Sequence, residues 1–460
     1  MKKKLAIILV VLVILYPGTV WLMGILTEQR VQEALALLPQ QLPYLLVSEQ
    51  HYRRGWYRSE QDLTLQLALG KLLPVLAASA PTPVSIRIHS VIHHGPLCGL
   101  SCFGFARIDA TYVPGSAVAP AISRLYGTRS PVSVRVHLGF LGGEYVRFST
   151  PPLKDVELPK ERHLSWGGAV IEARVSGNLD HRSVRATIPD IAIRNADGNA
   201  LELSQLALDG SSRRVLGPLY STQLALTAKQ LSYRVAGPMG FSVQDIRLDA
   251  QTPVHQGYMD VIEQISTGTV HSAGADLREA HLDFSIRHAQ VKAMAAIQER
   301  VQALNQSQGL SLRPATGALL TAIREPLQQL LLDKPELRLD AIKIITPHGQ
   351  ILIHGSVRTS GLTAADLSQG MNMRLLMQRI DVSLDVSADD NALADLPGLA
   401  GAARQQLPAL EQQGLVSHAN GEWRTIIHFG QGRTTVNGKP FGASPFGASP
   451  FGGNRPAPAQ

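Results

Sequence analysis

The chain is poor in three things that would each define a class. Two cysteines in 460 residues rule out a small disulfide scaffold. Aromatic residues at 5% give no stacking platform for single-stranded nucleic acid. Charged residues at 17%, against 45% hydrophobic, are too few for a disordered chain, so a folded core is expected. The net charge is +7, from 43 Lys and Arg against 36 Asp and Glu, and Lys2, Lys3 and Lys4 supply three of those units. The remainder of the chain is nearly balanced, and no nucleic-acid partner is indicated.

Catalytic signatures are lacking as well. No Gly-x-Ser-x-Gly elbow, His-Glu-x-x-His pair, Walker loop or Gly-x-Gly-x-x-Gly turn occurs. The acids Asp389-Asp390, beside Asn391, read as helix capping. The chain therefore reads as non-enzymatic, with no catalytic residue and no cofactor assigned. Triads built from distant positions leave no such mark, so this rests on missing support for an enzyme.

The single long apolar run lies at the start. Leu5 to Leu26 are 22 residues without a charge, about 33 Å as a helix at ~1.5 Å per residue, against a hydrocarbon core of about 30 Å. The competing reading, a cleaved signal peptide, calls for a shorter run and a small-x-small exit, and the stretch instead continues through Trp21, Leu22 and Met23 to Glu28. The expectation is a transmembrane anchor over 5–26 and a basic cytoplasmic stub over 1–4. The positive-inside rule then places the bulk across the bacterial inner membrane, in the periplasm.

Beyond the anchor, residues 28–38 carry helical spacing that stops before Pro39. Two-residue alternation then dominates, as at Val84, Ile86 and Ile88, and at Val184, Ala186 and Ile188. Turn signals separate paired stretches at Asp197-Gly198, Pro347-His348-Gly349 and Gly430 to Gly432. Roughly fifteen candidate strands fit the template. Helical spacing returns over about 289–305, over 319–331 with Pro326 inside, and over 391–413, where Pro397 and Pro408 are expected to break the helix and Gly414 to end it. The fold class expected is α+β and β-dominated: an N-terminal transmembrane helix, then a large, extended, twisted antiparallel sheet with a few segregated helices. Residues 27–288 form a mostly β part and 289–440 a helix-bearing part of the same unit. Residues 441–460, with two copies of FGASP, read as a disordered tail.

Two local constellations carry chemical interest. His93, His94, Cys98 and Cys102 are the one close set of metal-ligand types. An oxidising compartment makes a Cys98 to Cys102 disulfide the leading reading, with free thiols or a metal site as alternatives. His137, His281, His354 and His428 are scattered along alternating stretches and suggest no ligand set. The segment with Arg53, Arg54, Trp56, Tyr57 and Arg58 offers arginine to lipid phosphate and aromatics to the membrane interface, or else is simply a basic hairpin.

Four patterns together resemble the YdgA-like family of bacterial inner-membrane-anchored proteins, which have no assigned activity. They are His51 to Ser59, His94-Gly95-Pro96-Leu97, Lys334-Pro335 through Ile353, and Gly430-Gln431-Gly432 to Asn437-Gly438-Lys439-Pro440. The resemblance implies an anchor and a periplasmic domain and supplies no catalytic residue. The function expected is a non-enzymatic envelope protein whose sheet binds an apolar or lipid molecule in a groove. The alternatives are a structural or assembly factor that self-associates, as a homodimer or with an envelope protein, and a hydrolase or metal protein.

Overall fold

The computed structural model describes residues 2–41, 45–67, 84–98, 102–116, 119–158, 161–235, 240–272, 274–307, 316–368 and 378–441, with side chains in the first helix over residues 15–36 and at 38. Of the tail expected at 441–460, all but Phe441 lies outside them. The chain is β-dominated, with few helices, and folds as two compact units: residues 1–220 with 298–322, and residues 221–297 with 323–460.

The first unit opens with helix α1 (Lys2–Gln41), whose backbone runs past Pro39, where the sequence suggested a stop. Its strands are β1 (Leu45–Arg53), β2 (Arg58–Leu67), β3 (Val84–His94), β4 (Ala106–Val113), β5 (Ser133–Leu138), β6 (Glu144–Thr150), β7 (Leu153–Leu158), β8 (Arg162–Trp166), β9 (Ala169–Val175), β10 (His181–Asn195) and β11 (Ala200–Leu216), with a short helix α2 (Ala119–Tyr126) after β4. All the pairings are antiparallel, in the order β1, β2, β3, β4, β5, β6, β9, β10, β11, with the β7–β8 hairpin joined to β10.

Register gives this sheet two unlike faces. One row runs Ile92, Ile108, Val136, Val146, Ala173 and Val184 across six strands. The alternate face carries ion pairs: Asp109 takes Arg107 of its own strand and Arg135 of the next, both at 2.7 Å, while across strands Arg147 reaches Glu172 at 2.9 Å and Arg185 reaches Asp209 at 2.7 Å. Such exposed pairs contribute little stability each. A slip of one residue would bring each row to the wrong face, so together they fix the register.

The second unit holds β12 (Leu219–Arg234, from Ser221 on), β13 (Phe241–Gln251), β14 (Val254–His255), β15 (Tyr258–Thr267), β16 (Val270–Ser272), β17 (Ala275–Leu277), β18 (Glu279–Gln290), β19 (Glu336–Ile345), β20 (Gln350–Thr359), β21 (Ile380–Asp389), β22 (Ser417–Ala419), β23 (Glu422–Gly430), β24 (Arg433–Val436) and β25 (Lys439–Pro440). Its main order is β12, β13, β15, β18, β19, β20, β21, β23, β24, β25, again antiparallel.

Five helices complete the described chain: α3 (Val291–Ser307), α4 (Thr316–Leu332), α5 (Ala364–Ser368), α6 (Asp390–Ala394) and α7 (Pro397–Gln412). The break expected at Pro397 is real, because that residue starts α7, where a missing N–H costs nothing. Pro408 sits inside α7 without ending it. Asp389 and Asp390 correct the capping expectation: the Asp389 side chain makes no cap hydrogen bond and accepts one from the Gln350 amide at 2.8 Å instead.

Among the described residues no helix is long and apolar enough to cross a membrane. Residues 5–14 of the apolar run lie outside those whose side chains are described. The rest of the run is not uniformly free to face lipid, since Val20, Gly24 and Thr27 form one buried stripe of α1. Leu15, Trp21, Leu22 and Leu26 remain exposed on it.

Candidate functional site

Three connections meet at one end of the first unit. Registers Arg53↔Glu60, His94↔Ala106 and Leu138↔Glu144 close the β1–β2, β3–β4 and β5–β6 loops on that side. Here α1 lies on the apolar face, with Met23 against the cluster of Ile92, Phe105, Ala106 and Leu138. Gly24 permits the approach: a Cβ there would sit 3.2 Å from His94 Nε2. Arg54 binds Glu28 at 3.1 Å, and the Arg30 guanidinium lies 4.4 Å from the Phe105 ring centre.

Within this seat is a buried polar group. His94 is 1% exposed, and its Nε2 is 2.8 Å from Ser59 Oγ. Burial, reinforced by the neighbouring charges of His93 and Arg54, pushes its pKa down to about 4. The ring is therefore neutral at physiological pH. Burial also raises the Tyr52 phenol, with Ser59 acting in the opposite direction. A serine against a histidine has the contact of a nucleophile and base. The pair lacks the rest of that machinery: among the described residues Nδ1 has no hydrogen-bond partner, so no acid there orients the ring, and Ser59 is 1% exposed. This is a packed junction between helix and sheet.

The other candidates from sequence separate. Cys98 and Cys102 are joined in a disulfide, and among the described residues no group of His, Cys, Asp and Glu gathers to hold a metal. His93 lies in the row of Arg58, Arg107 and His137, on the face away from His94. Reducing the disulfide is expected to cost about 2 kcal/mol, the loop-closure value for so short a loop; chemical denaturation with and without reductant measures it. Arg53, Arg54 and Arg58 sit at the same end, each held by an acid: Arg53 to Glu60 at 3.4 Å, Arg54 to Glu28, and Arg58 to Glu60 at 2.8 Å. Trp56 and Tyr57 are exposed there.

The second unit carries a groove that no motif announced. Helix α7 lies over β20, β21 and β23 and leaves a space of about 290 Å³ lined by Ile351, Val386, Leu393, Leu407, Leu410 and Trp423 among others. Gln406, Arg424 and Thr425 are the hydrogen-bonding or charged side chains among its mostly apolar lining. Its walls are held from outside: Asp390 accepts from the Trp423 indole N–H and pairs with His418 at 2.9 Å, while Arg424 pairs with Asp385 at 2.7 Å. The arrangement can hold an apolar molecule; among the described residues its lining offers no nucleophile paired with a base.

A family model described as a bacterial protein of unknown function (DUF945) matches residues 1–443. The chain belongs to the DUF945 family. No curated protein and no solved structure matches it. The match takes in both units and stops before most of the repeated FGASP segment. In this DUF945 chain the groove escaped sequence reasoning because its lining comes from four separate stretches between 351 and 425. The one local signal was helical spacing at Leu407 and Leu410 beside the alternating strand at Trp423.

Proposed function

We propose that this DUF945 member is a non-enzymatic protein of the bacterial envelope, anchored in the inner membrane by the apolar run of α1, with its β-rich part in the periplasm binding an apolar or lipid molecule. The YdgA-like resemblance agrees with this placement. The observation that carries the binding half is the groove under α7, at the small end of the volume range of ligand pockets and lined mostly by apolar side chains. The anchoring half rests on the uncharged run from Leu5 and the lysines before it.

Lipid extraction and mass spectrometry of the purified full chain test the binding half. About one apolar molecule per chain is expected, with the molecule lost in Leu407→Arg, which places a charge in the groove. Ala403→Phe, which fills the space without a charge, is expected to lose it too while keeping the wild-type far-UV circular dichroism. Wild-type protein free of stoichiometric lipid, or both variants retaining it, would refute the reading.

A further inference from the structure

The end of the first unit where α1 leaves the sheet is unusually greasy. We propose that this end rests in the surface of the lipid bilayer, its contacts being Trp56, Tyr57, Leu97, Phe103, Phe140 and Leu141. This rests on and deepens the anchoring half of the proposed function and is independent of the groove.

The three loops that meet there each present apolar side chains to solvent. Leu141 is 94% exposed and Phe103 79%, and Phe103 packs edge-on against Phe140 at 4.9 Å between ring centres. Isolated exposed apolar residues are ordinary, whereas several on adjacent loop tips mark a contact surface. Continuity with the apolar run identifies the occupant. Gly24 meets His94 and Met23 meets Gly95, so a step outward along the strand is a step back along the helix, toward the run's start. The loops after Gly95 thus extend in the direction that the run takes.

Length points the same way. Because Val20 is buried within the protein, the part of the run left for lipid is at most Leu5 to Thr19, fifteen residues, or about 22 Å at ~1.5 Å per residue, short of a hydrocarbon core of about 30 Å. The shortfall draws the sheet end to the membrane, where Trp and Tyr are favoured at the headgroup level. The nearby arginines are matched by Glu28 and Glu60, so the contact is apolar in character, with phosphate binding secondary.

The test uses the full chain reconstituted into vesicles of phosphatidylglycerol and phosphatidylcholine brominated in its acyl chains. Leu141→Trp and, as control, Asp197→Trp at the opposite end of the unit are made with Trp21→Phe and Trp56→Phe as background, and the emission of that background, from Trp166 and Trp423, is subtracted. Emission from Leu141→Trp is expected to fall by about twofold relative to unbrominated vesicles, as for a ring at the acyl boundary, with Asp197→Trp unchanged. If the chain floats with vesicles and Leu141→Trp is not quenched, the contact is refuted and the anchor stands. Equal quenching at both positions would mean a unit lying flat, which also refutes it. A chain that fails to float refutes contact and anchor together.

Discussion

Gly95→Ala is expected to destabilise the protein by about 3 kcal/mol or more, at the upper end for a single overpacking change. A Cβ at residue 95 would lie 2.0 Å from the Gly104 carbonyl oxygen, 2.8 Å from that of Phe105 and 3.0 Å from Met23 Sδ. The first two are backbone atoms that cannot turn aside. They belong to the crossing by which the β3–β4 connection closes: Gly95 N–H donates to Phe105 O at 2.8 Å, Gly104 N–H to Pro96 O at 3.0 Å, and Phe105 N–H to Leu138 O at 2.6 Å. Opening the crossing enough to admit a methyl group breaks at least one of these and pushes against α1 through Met23. Gly115→Ala, where nothing lies within 4 Å, is expected to change stability by no more than about 0.5 kcal/mol. Urea denaturation of the two full-length variants, followed by far-UV circular dichroism, measures the difference. Equal midpoints would mean that Gly95 is not squeezed between these carbonyls.

The strands were legible where alternation and turn chemistry coincide. Val84 to Ile88 opens β3, and the two turns at Asp197-Gly198 and Gln431-Gly432 use residues with positive φ at Gly198, Gln431 and Gly432. Asn437-Gly438 likewise turns β24 into β25 with φ of 48° and 76°. Strands of two or three residues, such as β14 and β25, fall below what a five-residue template detects. The division near Tyr220 left no trace because alternation continues through β12 without a change in composition. Helix α7 was readable in position; its continuation through Pro408 was not, since a proline penalty is local and packing on the sheet offsets it.

The candidate sites were legible by type and not by company. The Cys98 and Cys102 spacing allowed a metal or a disulfide, and only the fold shows His93 and His94 on opposite faces of β3. The arginines from 53 to 58 were visible as charge, while the acids that hold them come partly from α1, far away in sequence. Gly24 within the apolar run carried no signal at all. Its meaning depends on the histidine ring against which it packs.

That ring makes stability depend on mild acid. The His94 pKa falls from 6.5 in the unfolded chain to about 4 in the fold, first because burial penalises the charged form. Between those values the unfolded chain binds a proton that the folded chain refuses. The stability from this site is therefore fully present above pH 6.5 and is lost as pH falls toward 4, by about 3 kcal/mol in all. The groups around the ring explain why no compensation is at hand: His93 and Arg54 oppose a positive charge, Glu28 is engaged by Arg54, and Ser59 already holds Nε2. Protonation there would set a charge against Gly24 and loosen α1 from the sheet. His93 and His137 are also shifted downward, His93 by burial and then Arg107, His137 by burial and then Arg135, so part of the acid sensitivity persists without His94. Denaturant midpoints of wild type and His94→Gln at pH 7.5 and 5 give the comparison, a window above the carboxylate range. The wild type is expected to lose more stability on acidification than the variant, by roughly the 2 kcal/mol that falls within this window. Parallel losses would place the acid sensitivity elsewhere and leave the helix seat indifferent to protonation.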